Sequence, residues 1–215
     1  MHWNDFCGGW QLWEPSLLNS TRPDLSPCFE ETVLSWLPLV FLWALAPFYL
    51  CYMQRHDRGC IRVSCLHRTK MLLTVLSIIV PLVEVCFTVV QIFSSPEGTA
   101  PVYLVTPAVI TLTMMLVFFI IHTERIRGRH TSGILFCFWL LLAVCFVPEF
   151  NSKIILVSEE TDQDMFRVVT FFVFYALVLA QLVCSSIADD LPLYSPVRSD
   201  RVSTTILFLA FHDDG

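Results

Sequence analysis

Residues 102–122 read VYLVTPAVITLTMMLVFFIIH, a run with no Asp, Glu, Lys or Arg. A helix that crosses a hydrocarbon core about 30 Å thick needs about 20 mostly apolar residues, and this run supplies them. Four further stretches have the same character: Val33–Met53, Met71–Phe93, Gly133–Phe150 and Phe166–Ala188. A composition that is 55% hydrophobic and a mean hydropathy of +0.66 agree with them. The expected fold is an all-α membrane protein, a bundle of five transmembrane helices over residues 33–188. The connections are short, so sequential helices are expected to be neighbours. The eight mostly apolar residues Thr204–Phe211 fall far short of a sixth crossing.

Charge gives the expected orientation. Cytosolic loops of membrane proteins carry an excess of Lys and Arg. Arg55, Arg58, Arg62, Arg68 and Lys70 lie between the first two stretches, and Arg125, Arg127 and Arg129 between the third and fourth. Arg198 and Arg201 follow the fifth, whereas the opposite side holds only Arg22, Lys153 and Arg167. The N-terminus is therefore expected outside and the C-terminus in the cytosol. The net charge of −6 follows from that layout and argues against nucleic-acid binding, which requires a basic face. The first thirty residues lack the basic start and apolar core of a cleaved signal peptide, so the first span is expected to direct insertion.

Residues 1–32 read as a polar exofacial tail carrying Trp3, Trp10 and Trp13. Trp favours the membrane–water boundary, which would lay this tail on the outer leaflet or across the bundle. Of nine cysteines, only Cys7 and Cys28 fall on the oxidising side, so a disulfide between them is expected. Asn19-Ser20-Thr21, between them, is a glycosylation acceptor sequence. Cys86, Cys137 and Cys145 are read as small packing residues.

Within the spans, Glu84 is the only acid well inside a stretch, and a buried acid facing the bundle interior is its expected role. Pro38, Pro47, Pro81 and Pro107 interrupt the spans, as membrane helices tolerate. Ala176, Ala180, Cys184 and Ala188 recur every fourth residue, a helix-packing stripe whose partner lies in this bundle or in another membrane domain. No phosphate-cradling G-x-x-x-x-G-K-[ST] occurs, nor G-x-S-x-G, H-E-x-x-H or the kinase motifs. His56, Cys60, Cys65 and His67 match no common zinc spacing. No catalytic, cofactor-binding or metal-ligating residue is expected, and the chain is not expected to be an enzyme.

Several runs, in order, carry a resemblance. They are Pro23–Phe29 (PDLSPCF), Trp36-Leu37-Pro38, Phe41-Leu42-Trp43 and Arg55–Gly59 (RHDRG). Ala100-Pro101-Val102, Ser132–Trp139 (SGILFCFW) and Gln181–Ser185 (QLVCS) complete the set. The chain resembles the N-terminal five-helix domain of the multidrug resistance-associated proteins, subfamily C of the ATP-binding cassette transporters. The resemblance implies an accessory domain of an exporter of organic anions and glutathione conjugates, serving folding, trafficking or partner docking. It also implies ATP and magnesium in a core outside this chain, a plasma-membrane location, an exofacial cysteine pair and a glycosylated tail. The implied partners are the lipid bilayer and the transporter core or another membrane protein. An alternative is a free-standing five-span protein that regulates a full transporter. The likeness weakens after Pro196, so residues 189–215 are expected to be a cytosolic tail from a truncated or divergent form, located in the endoplasmic reticulum if retained there. Mass spectrometry of membrane-derived protein tests the disulfide: a linked Cys7/Cys28 peptide pair is expected, and two free thiols would refute it.

Overall fold

The computed structural model of the chain describes residues 6–7, 26–55, 64–94, 100–127, 133–156 and 162–187. It contains five long helices: α1 (Ser35–Arg55), α2 (Cys65–Ser94), α3 (Val102–Ile126), α4 (Gly133–Leu156) and α5 (Asp162–Ser186). All five are long and apolar enough to cross a membrane, and the described residues include no strand. The five expected spans are therefore five helices. Several ends run past the apolar stretches, as at Arg55, Cys65, Ile126, Leu156 and Asp162, because backbone hydrogen bonding continues through the first polar residues there, whereas α5 stops at Ser186, short of Ala188. α1 in particular is led by a π-helical turn (Glu30–Leu34) and a short α-helical turn (Pro27–Phe29).

The helices close into a ring in the order α1, α3, α2, α5, α4 and back to α1. The expected adjacency of sequential helices holds for α2/α3 and α4/α5. It fails for α1/α2 and for α3/α4, and α1 packs chiefly on α3 and α4. A connection reaches about 3.3–3.6 Å per residue when extended. Even a short connection therefore reaches past one helix, and packing rather than loop length selects the neighbours. α1 and α3 run parallel, and the other ring contacts are antiparallel. The amino-terminal ends of α1, α3 and α5 thus share one end of the bundle with the carboxy-terminal ends of α2 and α4.

The interior combines Leu39, Leu42 and Met53 of α1, Met114, Val117 and Ile120 of α3, Phe138, Leu142 and Phe146 of α4, and Phe174 and Val178 of α5. The outer faces are just as apolar, with Phe48, Leu72, Val90, Leu112 and Val183 exposed. Hydrocarbon outside is as apolar as the core inside, so burial of apolar surface does little to hold the helices together. Close packing and interhelical hydrogen bonds must do it. The aromatic contacts between α4 and α5 supply packing, with Phe146 6.0 Å from Phe174 and Phe150 5.3 Å from Phe172 between ring centroids.

Pro38, Pro47, Pro81 and Pro107 lie within continuous helices, as does Pro148 in α4. A proline has no N–H, so the carbonyl four residues back loses its donor. The π-helical turn before α1 ends at Leu34, four residues ahead of Pro38. The Tyr103 carbonyl, freed by Pro107, accepts from Thr88 Oγ1 of α2 at 3.4 Å, while other buried hydroxyls bond within their own helices: Thr111 donates to the Pro107 carbonyl at 2.7 Å and Ser77 to the Leu73 carbonyl at 2.9 Å. The hydroxyl hydrogens of Thr111 and Ser77 are thereby satisfied within their own helices.

Two tryptophans seven residues apart join α1 to α3. Trp36 Nε1 donates to Thr106 Oγ1 at 3.4 Å, and Trp43 Nε1 donates to Thr113 Oγ1 at 3.0 Å. Both partners advance by seven residues, two helical turns, so the rungs repeat on one seam. Tyr49 extends it by donating to Glu124 Oε1 at 2.7 Å. A double-mutant cycle of Trp43→Phe and Thr113→Val is expected to give a coupling of about 0.6 kcal/mol, within the range measured for membrane interhelical bonds, read from unfolding of the protein in detergent.

Candidate functional site

The polar groups gather at the end of the bundle where α1, α3 and α5 begin. Ser26 starts the chain's entry into this end. Its hydroxyl accepts from Phe29 N–H at 3.3 Å, and Pro27 follows it in the first helical position. The helical turns that result carry Glu30 and Glu31 into the bundle. Late in α4, Glu149 and Lys153 lie one turn apart. Near the start of α5, Arg167 faces α2 and α3.

These residues contact one another across helix boundaries. Ser152 Oγ donates to Glu30 Oε1 at 2.7 Å. Lys153 Nζ lies 3.6 Å from Glu31 Oε1 and 3.9 Å from Glu149 Oε1. Arg167 stacks over the Tyr103 ring, 4.0 Å from its centroid, and its Nη2 donates to Gln91 Oε1 at 3.3 Å. Thr106 donates to the Glu31 carbonyl at 3.0 Å, which anchors the lead-in of α1 on α3. Glu84 of α2 faces this group within electrostatic reach of Glu31, Arg167 and Lys153. Its carboxylate makes no hydrogen bond or ion pair among the described residues.

A cleft with about 530 Å³ of empty space, part of it open to the outside, runs among these side chains. Glu31, Glu84, Glu149, Lys153 and Arg167 line its polar part. Val80, Pro81, Pro107, Ile110, Phe146 and Phe174 form its apolar walls. All five helices contribute. No group of three or more metal-binding side chains is found among the described residues. What the arrangement does is cross-link: Lys153 of α4 reaches the Glu31 carboxylate on the lead-in of α1, and Arg167 of α5 reaches an amide on α2 and a ring on α3.

The residues singled out from sequence fall in different places. Glu84 is half-buried in the cleft, but it is not alone: Glu30, Glu124 and Glu149 are buried as well. Cys7 and Cys28 are joined by a disulfide with Cα atoms 5.5 Å apart, and both are buried. That bond fixes residue 7 beside the lead-in of α1, next to Glu30 and Glu31. Ala176 is exposed on the outside of α5, and Ala180 and Cys184 are half-buried, so the small-residue stripe flanks the buried face made by Phe174, Val178 and Gln181. Asn19 and Ala188 lie outside the described residues, as do the early tryptophans. The packing role expected for three cysteines holds only for Cys145, because Cys86 and Cys137 are exposed on the outer face.

Sequence reading missed Glu149 and Lys153 as a pair because the fourth span was ended at Phe150. The structure continues α4 to Leu156. The available signal was their i, i+4 spacing. Glu30 and Glu31 were read as acids of the outer tail, and Ser26-Pro27 was the start signal that would have put them on the helix.

Fold and site together define a multi-pass membrane domain whose charged groups tie its helices together. The chain belongs to the ABC transporter TMD0 domain family, whose pattern it matches over residues 4–173. It is 39% identical to rat ATP-binding cassette sub-family C member 3 over 206 residues, covering 90% of this chain and 13% of that protein. With the human protein of the same name the identity is 37%, over the same shares. Mouse ATP-binding cassette sub-family C member 2 is 28% identical, covering 87% of this chain and 12% of that protein. The chain thus spans about an eighth of the length of these relatives.

Lys153→Met removes the cation that lies between Glu31 and Glu149. The substitution is expected to cost about 2 kcal/mol of stability, less than the roughly 3–5 kcal/mol of a broken fully buried pair, because both contacts are long. Thermal unfolding in detergent measures it, and adding Glu149→Gln is expected to recover part of the loss.

Proposed function

We propose that the chain is the N-terminal accessory membrane domain of an ATP-driven exporter of organic anions and glutathione conjugates. It serves folding, trafficking or docking and does not transport by itself. The observation that carries this reading is the match of residues 4–173 to the TMD0 family. It is supported by relatives of which the chain covers only 13%. ATP and magnesium belong to the remainder of such a transporter: nothing in this sequence forms a phosphate cradle, so no residue here fits them.

In this reading the charged cleft lies at the outer boundary of the membrane and the opposite end faces the cytosol. Arg55, Arg68, Lys70, Arg125 and Arg127 all sit at that opposite end, which supports the orientation by the positive-inside rule. Residues 1–32 are then an exofacial tail held by the Cys7–Cys28 disulfide and glycosylated at Asn19, 33–188 the transmembrane domain and 189–215 a cytosolic tail. On cells expressing the chain, glycosidase treatment is expected to shift its gel mobility once, and Asn19→Gln to abolish the shift. Cys51 and Cys65, exposed at the basic end, are expected to react with an impermeant thiol reagent only after permeabilisation.

Docking onto a transporter core is assigned to α5, whose stripe leaves Ala176 exposed for close approach of another helix. The test co-expresses the chain with a subfamily C transporter lacking this domain. Co-purification and increased surface delivery of the core are expected, with no ATP-dependent uptake of a glucuronide conjugate into vesicles that hold the chain alone. Ala176→Leu is expected to weaken co-purification about fivefold, equivalent to about 1 kcal/mol, without altering the thermal unfolding of the chain. Transport by the chain alone would refute the reading. Binding to the complete transporter, and not to the core, would favour the free-standing regulator.

A further inference from the structure

Away from the charged cleft, toward the opposite end of the bundle, two buried polar atoms have complementary needs. Trp139 of α4 and Gln181 of α5 are both fully buried. Among the described residues, Trp139 Nε1 has no acceptor and Gln181 Oε1 has no donor. An indole nitrogen only donates and an amide oxygen only accepts.

The orientation of the Gln181 amide is set by its surroundings. Its nitrogen donates to the Lys70 carbonyl at 2.8 Å and to Thr74 Oγ1 at 2.7 Å. Thr74 in turn gives its own hydrogen to the Lys70 carbonyl at 2.8 Å. Turning the amide over would set its oxygen against a carbonyl, an acceptor facing an acceptor. The nitrogen must therefore face α2, and Oε1 is the atom left without a partner.

Helix register brings the two residues to the same level of the bundle. Phe146 of α4 and Phe174 of α5 pack with ring centroids 6.0 Å apart. Trp139 lies seven residues before Phe146, and Gln181 seven residues after Phe174. The helices are antiparallel, and seven residues are nearly two whole turns. Trp139 and Gln181 therefore fall two turns further along the same α4/α5 seam, at the level where α2 arrives with Thr74.

We propose that one water molecule binds among α2, α4 and α5, accepting from Trp139 Nε1–H and donating to Gln181 Oε1. Ser77, buried one turn beyond Thr74 on α2, offers an acceptor for its second hydrogen. A buried water with two to four polar partners is a regular component of protein interiors. Here it relieves two desolvated groups for the immobilisation of one molecule. In hydrocarbon neither group has any other solvent to turn to. The site fastens α5 to α2 and α4 at the end of the bundle remote from the charged cleft.

The test uses the full chain in lipid nanodiscs with ¹⁵N-labelled tryptophan and water-edited solid-state NMR. The Trp139 indole signal is assigned by its loss in Trp139→Phe. Magnetisation transfer from water to the Trp139 indole proton is expected, with none to Trp43, whose indole donates directly to Thr113 at 3.0 Å. In Gln181→Met, close in volume and without the amide, the Trp139 transfer is expected to fall to the level of Trp43. Absence of transfer to Trp139 in the unaltered chain would overturn the proposal, as would transfer that persists undiminished in a folded Gln181→Met protein.

Discussion

In a hydrocarbon solvent, every backbone and side-chain polar group must find its hydrogen-bond partner within the protein. The structure depends on that constraint more than on hydrophobic burial, because lipid outside and core inside are equally apolar. Hydroxyls of α2 and α3 bond carbonyls of their own helices, and prolines sit where neighbouring groups can absorb the lost donor. What remains polar is directed inward and shared between helices. The Trp36–Thr106 and Trp43–Thr113 rungs and the Gln181–Thr74 bond are the interhelical results.

The same constraint shapes the charged cleft. Glu30, Glu31, Glu84, Glu149, Lys153 and Arg167 come from four separate parts of the chain, yet they collect at one end of the ring. Dispersed, each would be an isolated charge near a low-dielectric medium. Collected, Lys153 offsets Glu31 and Glu149, Glu30 accepts from Ser152, and the group remains close to water at the bundle end. The disulfide between Cys7 and Cys28 fastens the preceding segment to this place. In a loop of this span a disulfide contributes roughly 3 kcal/mol by restricting the unfolded chain. A domain held mainly by packing and a few polar bonds gains a large fraction of its stability from such a link.

Much of the fold was legible in the sequence, because span length and charge exclusion are imposed by the bilayer on every helix separately. Residues 102–122 announce a crossing without reference to any neighbour. Helix neighbours were less legible: α1 packs against α3 and α4 and not chiefly against α2, a choice made by matching Trp36 and Trp43 to Thr106 and Thr113 over long separations. The site was legible only in part. Glu84 stood out as an acid in an apolar run, whereas Glu149 and Lys153 were hidden at a boundary that hydropathy places several residues early. The exposed positions of Cys86 and Cys137 were also not readable, since an apolar face toward lipid and one toward the core have the same composition.

By itself, the sequence determined that this chain is a five-span membrane domain related to the front of subfamily C transporters. It also carried the distribution of basic residues from which an orientation is argued. These properties are local, because a bilayer tests each segment for length and charge one at a time. Only the tertiary structure decided the ring order and the gathering of five charged residues in one cleft. It alone buried the Trp139 donor and the Gln181 acceptor without partners among the described residues. Those depend on helix rotation and register, which are fixed by contacts between residues up to 122 positions apart.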